Sequence, residues 1–290
     1  MLLSAQDLTM RFGGVLALNQ VSFEVEQGSI TALIGPNGAG KTTAFNCITG
    51  FYRASSGRLI LDGGEEGAID LLEILGERFK AEDFIHPAAF FKRLYYKMFG
   101  GAHRVARSGV ARTFQNVRLF KEMTAMENLL VAQRHRVNHN LLAGFFKTAA
   151  FLKSEEAAVA EACKWLEFFE ILEDANRLAG ELPYGNQRRL EIARALCTEP
   201  RLICLDEPAA GLNPQETARL NAHIRKLRDQ FQVTVLLIEH DMGLVMDISD
   251  HVVVLDHGEV IATGSPAEIQ DNQKVLEAYL GVAEEGEMRL

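Results

Sequence analysis

The sequence predicts an α/β fold: a core of short buried strands alternating with helices, interrupted once by an all-helical subdomain. Three observations carry this expectation. Six apolar runs, "ALNQVSFEVE", "SITALIG", "RLILDG", "RLICLDEP", "TVLLIEH" and "HVVVLDHGEVIATG", have strand character, and several are apolar on both faces, as strands covered by helices are. Between Glu127 and Ala179 such runs stop, and "LKSEEAAVAEACKWLEFFEIL" carries its apolar residues at helical spacing. Finally, a glycine-rich turn, "GPNGAGKTT" from Gly35 to Thr43, joins one apolar run to the helix-compatible "TAFNCITG".

Composition removes several classes of function. With 290 residues the chain is long enough to bury a sizeable core, as one large domain or two smaller ones. Its 30 basic and 39 acidic side chains leave a formal charge of -9, the wrong sign for coating a phosphate backbone, so no nucleic acid partner is expected. Cys47, Cys163, Cys197 and Cys204 are scattered, without a C-x-x-C pair or a nearby histidine cluster. Neither a zinc site nor a disulfide framework is indicated, and a reducing cytosol fits. The opening "MLLSAQDLTMRFGG" lacks a basic start followed by an apolar run, and no apolar segment approaches the roughly 18 residues that span a bilayer. Any membrane role is expected to be peripheral. There is no internal repeat and no low-complexity tract.

The glycine-rich turn is the first chemical motif. It matches G-x-x-x-x-G-K-[ST] and sits between a strand-like run and a helix. Gly35, Pro36, Asn37, Gly38, Ala39 and Gly40 would let backbone N–H groups curl around phosphate oxygens, with the dipole of the helix that opens at Lys41, Thr42 and Thr43 behind them. Lys41 supplies a charge between the β- and γ-phosphates, and the Thr42 hydroxyl would hold magnesium. A nucleoside triphosphate site also needs an acid near the metal and a group to activate water. "LICLDEP" ends a strand with two adjacent carboxylates, whose burial would be costly without a cation or a shared proton. Asp206 suits the magnesium shell, and Glu207 is the candidate general base. "TVLLIEHD" ends a second buried strand with His240, placed to donate a hydrogen bond to the γ-phosphate. Gln115, in "ARTFQNV", closes another short strand and offers an amide oxygen to metal and water.

A second helix start stands out in "ELPYGNQRRLEIARAL", Glu181 to Leu196. Tyr184, Gly185, Asn186 and Gln187 read as a turn that opens a helix. Leu190, Ala193 and Leu196 then form one apolar stripe, leaving Arg188, Arg189 and Arg194 for other faces. Such a start carries unpaired N–H groups and a partial positive charge, suited to an anion. Capping boxes in "TAME" (Thr124 to Glu127) and "SPAE" (Ser265 to Glu268) mark two more helix starts.

Taken in order, the phosphate loop, the strand with Gln115, "LPYGNQ", "LDEP", "GLN" and "IEHD" resemble the nucleotide-binding subunit of an ATP-binding cassette (ABC) transporter, over nearly the whole chain. More narrowly, "RTFQNVRLF", "MENLLVAQ", "YGNQRRLEIARAL", "LDEPAAGLNP", "LLIEHDM" and "VLEAYLG" resemble the first ATP-binding subunit of branched-chain amino acid importers. The resemblance implies a P-loop NTPase (RecA-like) core with an antiparallel β subdomain and an inserted all-helical subdomain, forming a single ABC ATPase domain over residues 1–290. Its parts would be N-terminal strands and phosphate loop over 1–63, an insertion over 64–107, the helical subdomain over 116–180, the signature, Walker B and switch-histidine core over 181–263, and a C-terminal helical extension over 264–290. It further implies ATP and Mg2+, a head-to-tail pairing of two ATPase subunits, two membrane permease subunits, an external substrate-binding protein acting indirectly, and a place at the cytoplasmic face of the plasma membrane. In that pairing each signature helix points its N-terminus at the γ-phosphate held by the other subunit, so Tyr184, Gly185, Asn186 and Gln187 would serve the partner's nucleotide. Phe12 would stack on adenine, the alternative for its ring being simple core packing.

The chain departs from the family at the signature, usually Leu-Ser-Gly-Gly-Gln. Pro183 replaces the Ser and Tyr184 the first Gly, so a hydroxyl and a backbone N–H are lost, a difference of roughly 1.5–3 kcal/mol, or one charge-assisted hydrogen bond. The contact is then expected from the amides after Tyr184 or from Asn186. Ala210 and Asn213 stand where a Ser and an Asp are common, which predicts altered coupling between sites. Within the 64–107 insertion, "AAFFKRLYYKMFGG" sets Phe91, Leu94, Tyr95 and Met98 on one helical face beside Lys92, Arg93 and Lys97, suited to a membrane surface, a partner or packing on its own domain. The function expected is an ATPase subunit driving permease-mediated uptake of branched-chain amino acids. The alternatives are an importer of urea or short amides, and an ABC-type ATPase of iron–sulfur cluster assembly. A GTPase is disfavoured by the lack of an Asn-Lys-x-Asp motif.

Overall fold

The computed structural model describes residues 1–64, 67–76, 101–134 and 148–279. Two sheets organise it. The larger has six strands in the order β10-β9-β3-β8-β7-β6, formed by β3 (Ile30–Ile34), β6 (Val110–Arg112), β7 (Leu202–Asp206), β8 (Thr234–Ile238), β9 (His251–Asp256) and β10 (Glu259–Gly264). All its neighbours pair in parallel except the edge hairpin β9–β10. The smaller is an antiparallel sheet in the order β2-β1-β4-β5, from β1 (Leu3–Phe12), β2 (Val15–Val25), β4 (Ser56–Asp62) and β5 (Ala68–Asp70).

Strand periodicity divides the apolar side chains between two cores. Ile30, Ala32 and Ile34 of β3 face one cluster with Ile203 and Leu205 of β7 and Val235 and Leu237 of β8. Their alternates, Leu33, Leu202, Cys204, Leu236 and Ile238, face the other, where Leu3, Leu8 and Leu59 of the antiparallel sheet meet Phe45 and Ile48 of helix α1 (Lys41–Ile48). All five residues in each of β3, β7 and β8 are therefore buried, which is why the sequence shows unbroken apolar runs.

After the short helices α2 (Leu71–Ile74) and α3 (Ala102–Arg107), the inserted helices include α4 (Ala125–Ala132) and α5 (Ala149–Phe168), with the capping box expected at Thr124 and Glu127 present. Trp165, Leu166 and Phe169 join them to the first cluster, beside the apolar stripe Leu190, Ala193 and Leu196 of α6 (Tyr184–Leu196). The second expected box, at Ser265 and Glu268, opens a short helix at Pro266–Gln270.

One expectation, that of Gln115, is corrected, and two further features go beyond the sequence reading. Strand β1 is absent from the apolar runs because register shifts, with Asp7 in a left-handed conformation (φ 49°), break its alternation. Gln115 does not close a strand: β6 ends at Arg112. The flanks of the 64–107 segment are built into the fold, β5 pairing with β4 and a helix spanning Ala102–Arg107, whereas the helix expected around Phe91 to Met98 lies outside the described residues.

Candidate functional site

Four parallel strands that lie side by side, β3, β8, β7 and β6, end on one edge of the sheet. Their C-terminal extensions carry Gly35, His240, Glu207 and Gln115, and this shared edge brings together residues far apart in sequence.

The phosphate loop leaves β3 at Gly35. Gly40 adopts φ 101°, and a Cβ there would lie 2.7 Å from the Ala17 carbonyl oxygen; at Gly35 it would lie 2.0 Å from that of Leu255. Both positions require glycine. The Lys41 amine donates to the carbonyls of Gly35 (2.6 Å) and Pro36 (2.8 Å), and burial lowers its pKa, partly opposed by the Glu207 carboxylate. Helix α1 begins without a side-chain cap. A cavity of about 430 Å³ opens in front of it, lined by Asn37, Gly38, Lys41, Thr42, Glu207 and His240 among others.

At the mouth of this cavity Glu207 accepts from Gln115 Nε2 (2.7 Å) through one carboxylate oxygen and meets His240 Nε2 (2.9 Å) through the other. The backbone of Glu207 is left-handed, φ 45°, and its N–H donates to the Ile238 carbonyl (2.9 Å). Asp206 differs from expectation. The cation beside it is Arg112, whose Nη2 lies 2.8 Å from Asp206 Oδ2, with both side chains nine-tenths buried. Arg112 is held in turn by Asn46 Oδ1 (2.5 Å) and stands over the rings of Phe45, Phe51 and Phe114. It occurs in "ARTFQNV", but nothing in the spacing distinguishes it from a surface arginine.

For a divalent cation, the chain offers Asp206 Oδ1, the Thr42 hydroxyl and the Gln115 amide oxygen, hard oxygen donors of the kind magnesium takes alongside phosphate. No cluster of three or more His, Cys, Asp or Glu suited to a metal occurs among the described residues. The small protein donor set therefore fits an ion shared with phosphates better than one caged by protein.

Glu239, between the strand and His240, was not foreseen. It is buried, and its two carboxylate oxygens accept from the N–H groups of Ala209 (2.9 Å) and His240 (3.2 Å). Burial raises its pKa against those two donors. Tyr279, in the terminal "VLEAYLG", lies by the backbone of Gly35, and burial raises its pKa.

The signature segment stands apart from the cavity of its own chain. Helix α6 is capped by Pro183 without a side-chain bond, and the Pro183 carbonyl takes the N–H groups of Asn186 and Gln187, both at 2.9 Å. Asn186 is not free for an anion. Its Nδ2 donates to Asp174 (2.9 Å) and its Oδ1 accepts from Arg189 (2.6 Å). Gln187 turns back to the Leu182 carbonyl, and Asn213 is spent capping the helix Pro214–Phe231. The helix therefore starts at Tyr184, which is exposed, and Gly185, which is buried, with no side-chain cap on its first N–H groups. Arg188, expected on an outer face, is fully buried. Phe12 is 42% exposed and meets Tyr52 edge-on at 5.3 Å between ring centroids, so it is not core packing; it lines a different cavity from the phosphate loop.

The model of the family described as "ABC transporter" matches residues 18–210. The chain belongs to this family. A second model, "Branched-chain amino acid ATP-binding cassette transporter", matches residues 259–285 of the cassette, the part that includes Tyr279. The cassette is 53% identical over 282 residues to the high-affinity branched-chain amino acid transport ATP-binding protein BraF of Pseudomonas aeruginosa, covering 97% of this chain and 98% of the relative. It is 47% identical over 283 residues to LivG of Escherichia coli, a protein with the same description, with the same coverage. Among solved structures it resembles the ADP conformation of an ATP-binding cassette of an ABC transporter, with 33% identity and a TM-score of 0.71 over 97% of this chain and 98% of that one. Like its relatives the cassette is a nucleotide-binding ATPase. Among its described residues no helix is long and apolar enough to cross a membrane.

Proposed function

We propose that this ABC ATPase energises uptake of branched-chain amino acids, seated at the cytoplasmic face of the plasma membrane on two permease subunits and paired head to tail with a second ATPase subunit. An external binding protein would deliver the substrate. The observation that carries the reading is the meeting of Gln115, Glu207 and His240 at the mouth of the phosphate-loop cavity. Phosphoryl transfer to water depends on positioning and electrostatics, and this arrangement supplies both. Lys41 and the loop amides hold the phosphates, while Thr42, Asp206 and Gln115 would hold Mg2+, which when bound would neutralise phosphate charge. Glu207 orients water and accepts its proton, and His240 donates to the γ-phosphate. Phe12 and Tyr52 offer an aromatic face for the base. The uncapped start of α6 at Tyr184 and Gly185 would serve the nucleotide of the paired subunit, in place of the missing Ser.

A groove of about 360 Å³ lined by Phe51, His103, Phe114, Glu191 and Arg194 among others lies beside the segment leading to Gln115. It is the candidate seat for a permease segment. The relatives' descriptions support the amino acid substrate over iron–sulfur assembly. A strain lacking the chain should lose ATP-dependent leucine, isoleucine and valine uptake, and regain it with the wild-type chain but not with Lys41→Ala. Unchanged uptake would move the substrate assignment to urea, short amides or another cargo.

A further inference from the structure

Arg188 is buried on the helix whose start lacks a side-chain cap, and its guanidinium reaches the catalytic edge of its own chain. Nε donates to the Pro208 carbonyl (3.0 Å), Nη2 to the carbonyls of Asp206 (2.9 Å) and Glu207, and Nη1 to the Phe114 carbonyl and to Glu191 Oε2 (2.9 Å). Three of these carbonyls are consecutive and bracket Glu207. Phe114 is the residue before Gln115. A plain buried ion pair would be complete with Glu191 alone, whereas here the remaining donors all go to main-chain oxygens of the two segments that present Gln115 and Glu207.

Glu207 needs such a support. A residue with a side chain seldom adopts a left-handed backbone, and it persists there only where the surroundings fix it. The direction of each carbonyl is set by the neighbouring φ and ψ, so holding the oxygens of Asp206, Glu207 and Pro208 together fixes the turn that aims the Glu207 side chain. A planar fork with five donors can do this; a single ammonium on a flexible stem cannot. Glu191, which also accepts the Arg118 N–H (3.0 Å), keeps the fork oriented and draws the chain after Gln115 into the same cluster. Burial raises the pKa of Glu191 against the Arg118 N–H and the Arg188 charge.

We propose that Arg188 is a positioning residue for hydrolysis: it holds the left-handed turn at Glu207 and so ties the aim of the base to the signature helix of the same chain. A force applied at the start of α6, where the paired subunit's nucleotide would seat, then reaches the base in this chain through one side chain. The proposal rests on Glu207 being the base, and on no feature of the permease or the transported substrate.

The test is Arg188→Lys in the full-length chain, alone and combined with Glu207→Gln. Lysine keeps the charge opposite Glu191 but not the fork. Turnover should fall by about tenfold or more, with KM for ATP within about threefold of the wild-type value. The double variant should still form the ATP-dependent dimer as Glu207→Gln alone does, because the grip serves the base and not the seating of nucleotide. Wild-type turnover in a folded Arg188→Lys chain overturns the proposal, as does loss of dimerisation together with turnover, which marks a framework role. Should Arg188→Lys not fold, Arg188→Met with Glu191→Leu removes both charges at similar volume and is read the same way. If that also fails to fold, Arg188 is a framework residue and the proposal falls. The underlying assignment is checked separately: wild-type turnover in Glu207→Gln places the base elsewhere, while an Arg188→Lys defect that persists beside it would still show the grip acting on the site.

Discussion

The two helix starts at Lys41 and Tyr184 meet one electrostatic demand in different ways. The α-helices at Leu71–Ile74, Ala125–Ala132, Ala149–Phe168, Pro214–Phe231, Met242–Ile248 and Pro266–Gln270 begin with a side-chain cap, supplied by Asp70, Thr124, Thr148, Asn213, Asp241 and Ser265, whereas α1, α6 and the short helix at Ala102–Arg107 do not. At α1 the chain completes its own cradle. Gly35 and Gly40 leave no room for a Cβ against backbone oxygens, and the Lys41 amine is braced by two carbonyls. At α6 the main chain is ordinary, and side chains do the work: Asn186 and Gln187 turn to partners within the chain, and the helix start is left without a side-chain cap. A binding element finished within one chain is specified by backbone geometry. One that waits for a partner is specified by where its polar side chains are not.

The largest effect should come from cutting the chemistry while leaving both helix starts intact. Glu207→Gln is expected to lower hydrolysis by roughly 10²–10⁴-fold with ATP binding preserved, giving an ATP-locked dimer in gel filtration. Next, Lys41→Ala should weaken ATP binding by about 10–100-fold, the value of a charge-assisted contact, as measured by nucleotide titration. A third pair of variants addresses the comparison directly. Gly40→Ala meets backbone at a left-handed position and should cost about 2–3 kcal/mol in denaturant unfolding. In Gly185→Ala the new Cβ would sit 2.5 Å from Glu216 Oε1, the end of a side chain whose other oxygen accepts from the Asn213 N–H, so relief loosens that capping box and meets no backbone. Alanine also favours a helix, so the net change should stay within about 1 kcal/mol. Equal costs at the two glycines would break the distinction.

The smallest effect is one of pH. His223 is buried against Phe168 and Phe169, and burial lowers its pKa, outweighing the Glu170 carboxylate 4.0 Å away. The unfolded chain therefore binds the proton more readily. Stability from this group is complete above the ordinary imidazole value of about 6.5, and is lost as pH falls from there toward the lowered native value. Melting temperature should decline over that window in the wild type and less in His223→Leu. Since Arg189 of α6 donates to the Phe169 carbonyl (2.8 Å), hydrogen exchange should show the loosening around α6 before α1.

What the sequence made legible follows the same division. The phosphate loop could be read because its demands are local: glycines, a lysine and a threonine at fixed spacing. The strands β3, β7 and β8 could be read because burial on both faces makes them continuously apolar. Strand β1 could not, since its register shifts remove the alternation. The positions of Glu207, His240 and Gln115 were readable as strand ends, yet their mutual contacts depend on strand order, which only the sheet supplies. Arg112, Arg188 and Glu239 were hidden for one reason. A charged side chain in a one-dimensional pattern looks solvent-facing, and its partners here lie at a sequence distance: Asp206 for Arg112, the carbonyls after β7 for Arg188, and Ala209 for Glu239.

The Arg112–Asp206 pair carries an expectation about the order in which ligands arrive. A carboxylate already matched by a guanidinium at 2.8 Å presents no net charge to a bare divalent ion, so free Mg2+ gains little by entering alone. Such an ion would gain a full set of oxygens only with phosphate, so metal and nucleotide are expected to enter as a single chelate. The nucleotide-free chain should accordingly be indifferent to EDTA, with no shift in its melting curve. The same chelator added after ATP should strip the stabilisation that the nucleotide conferred.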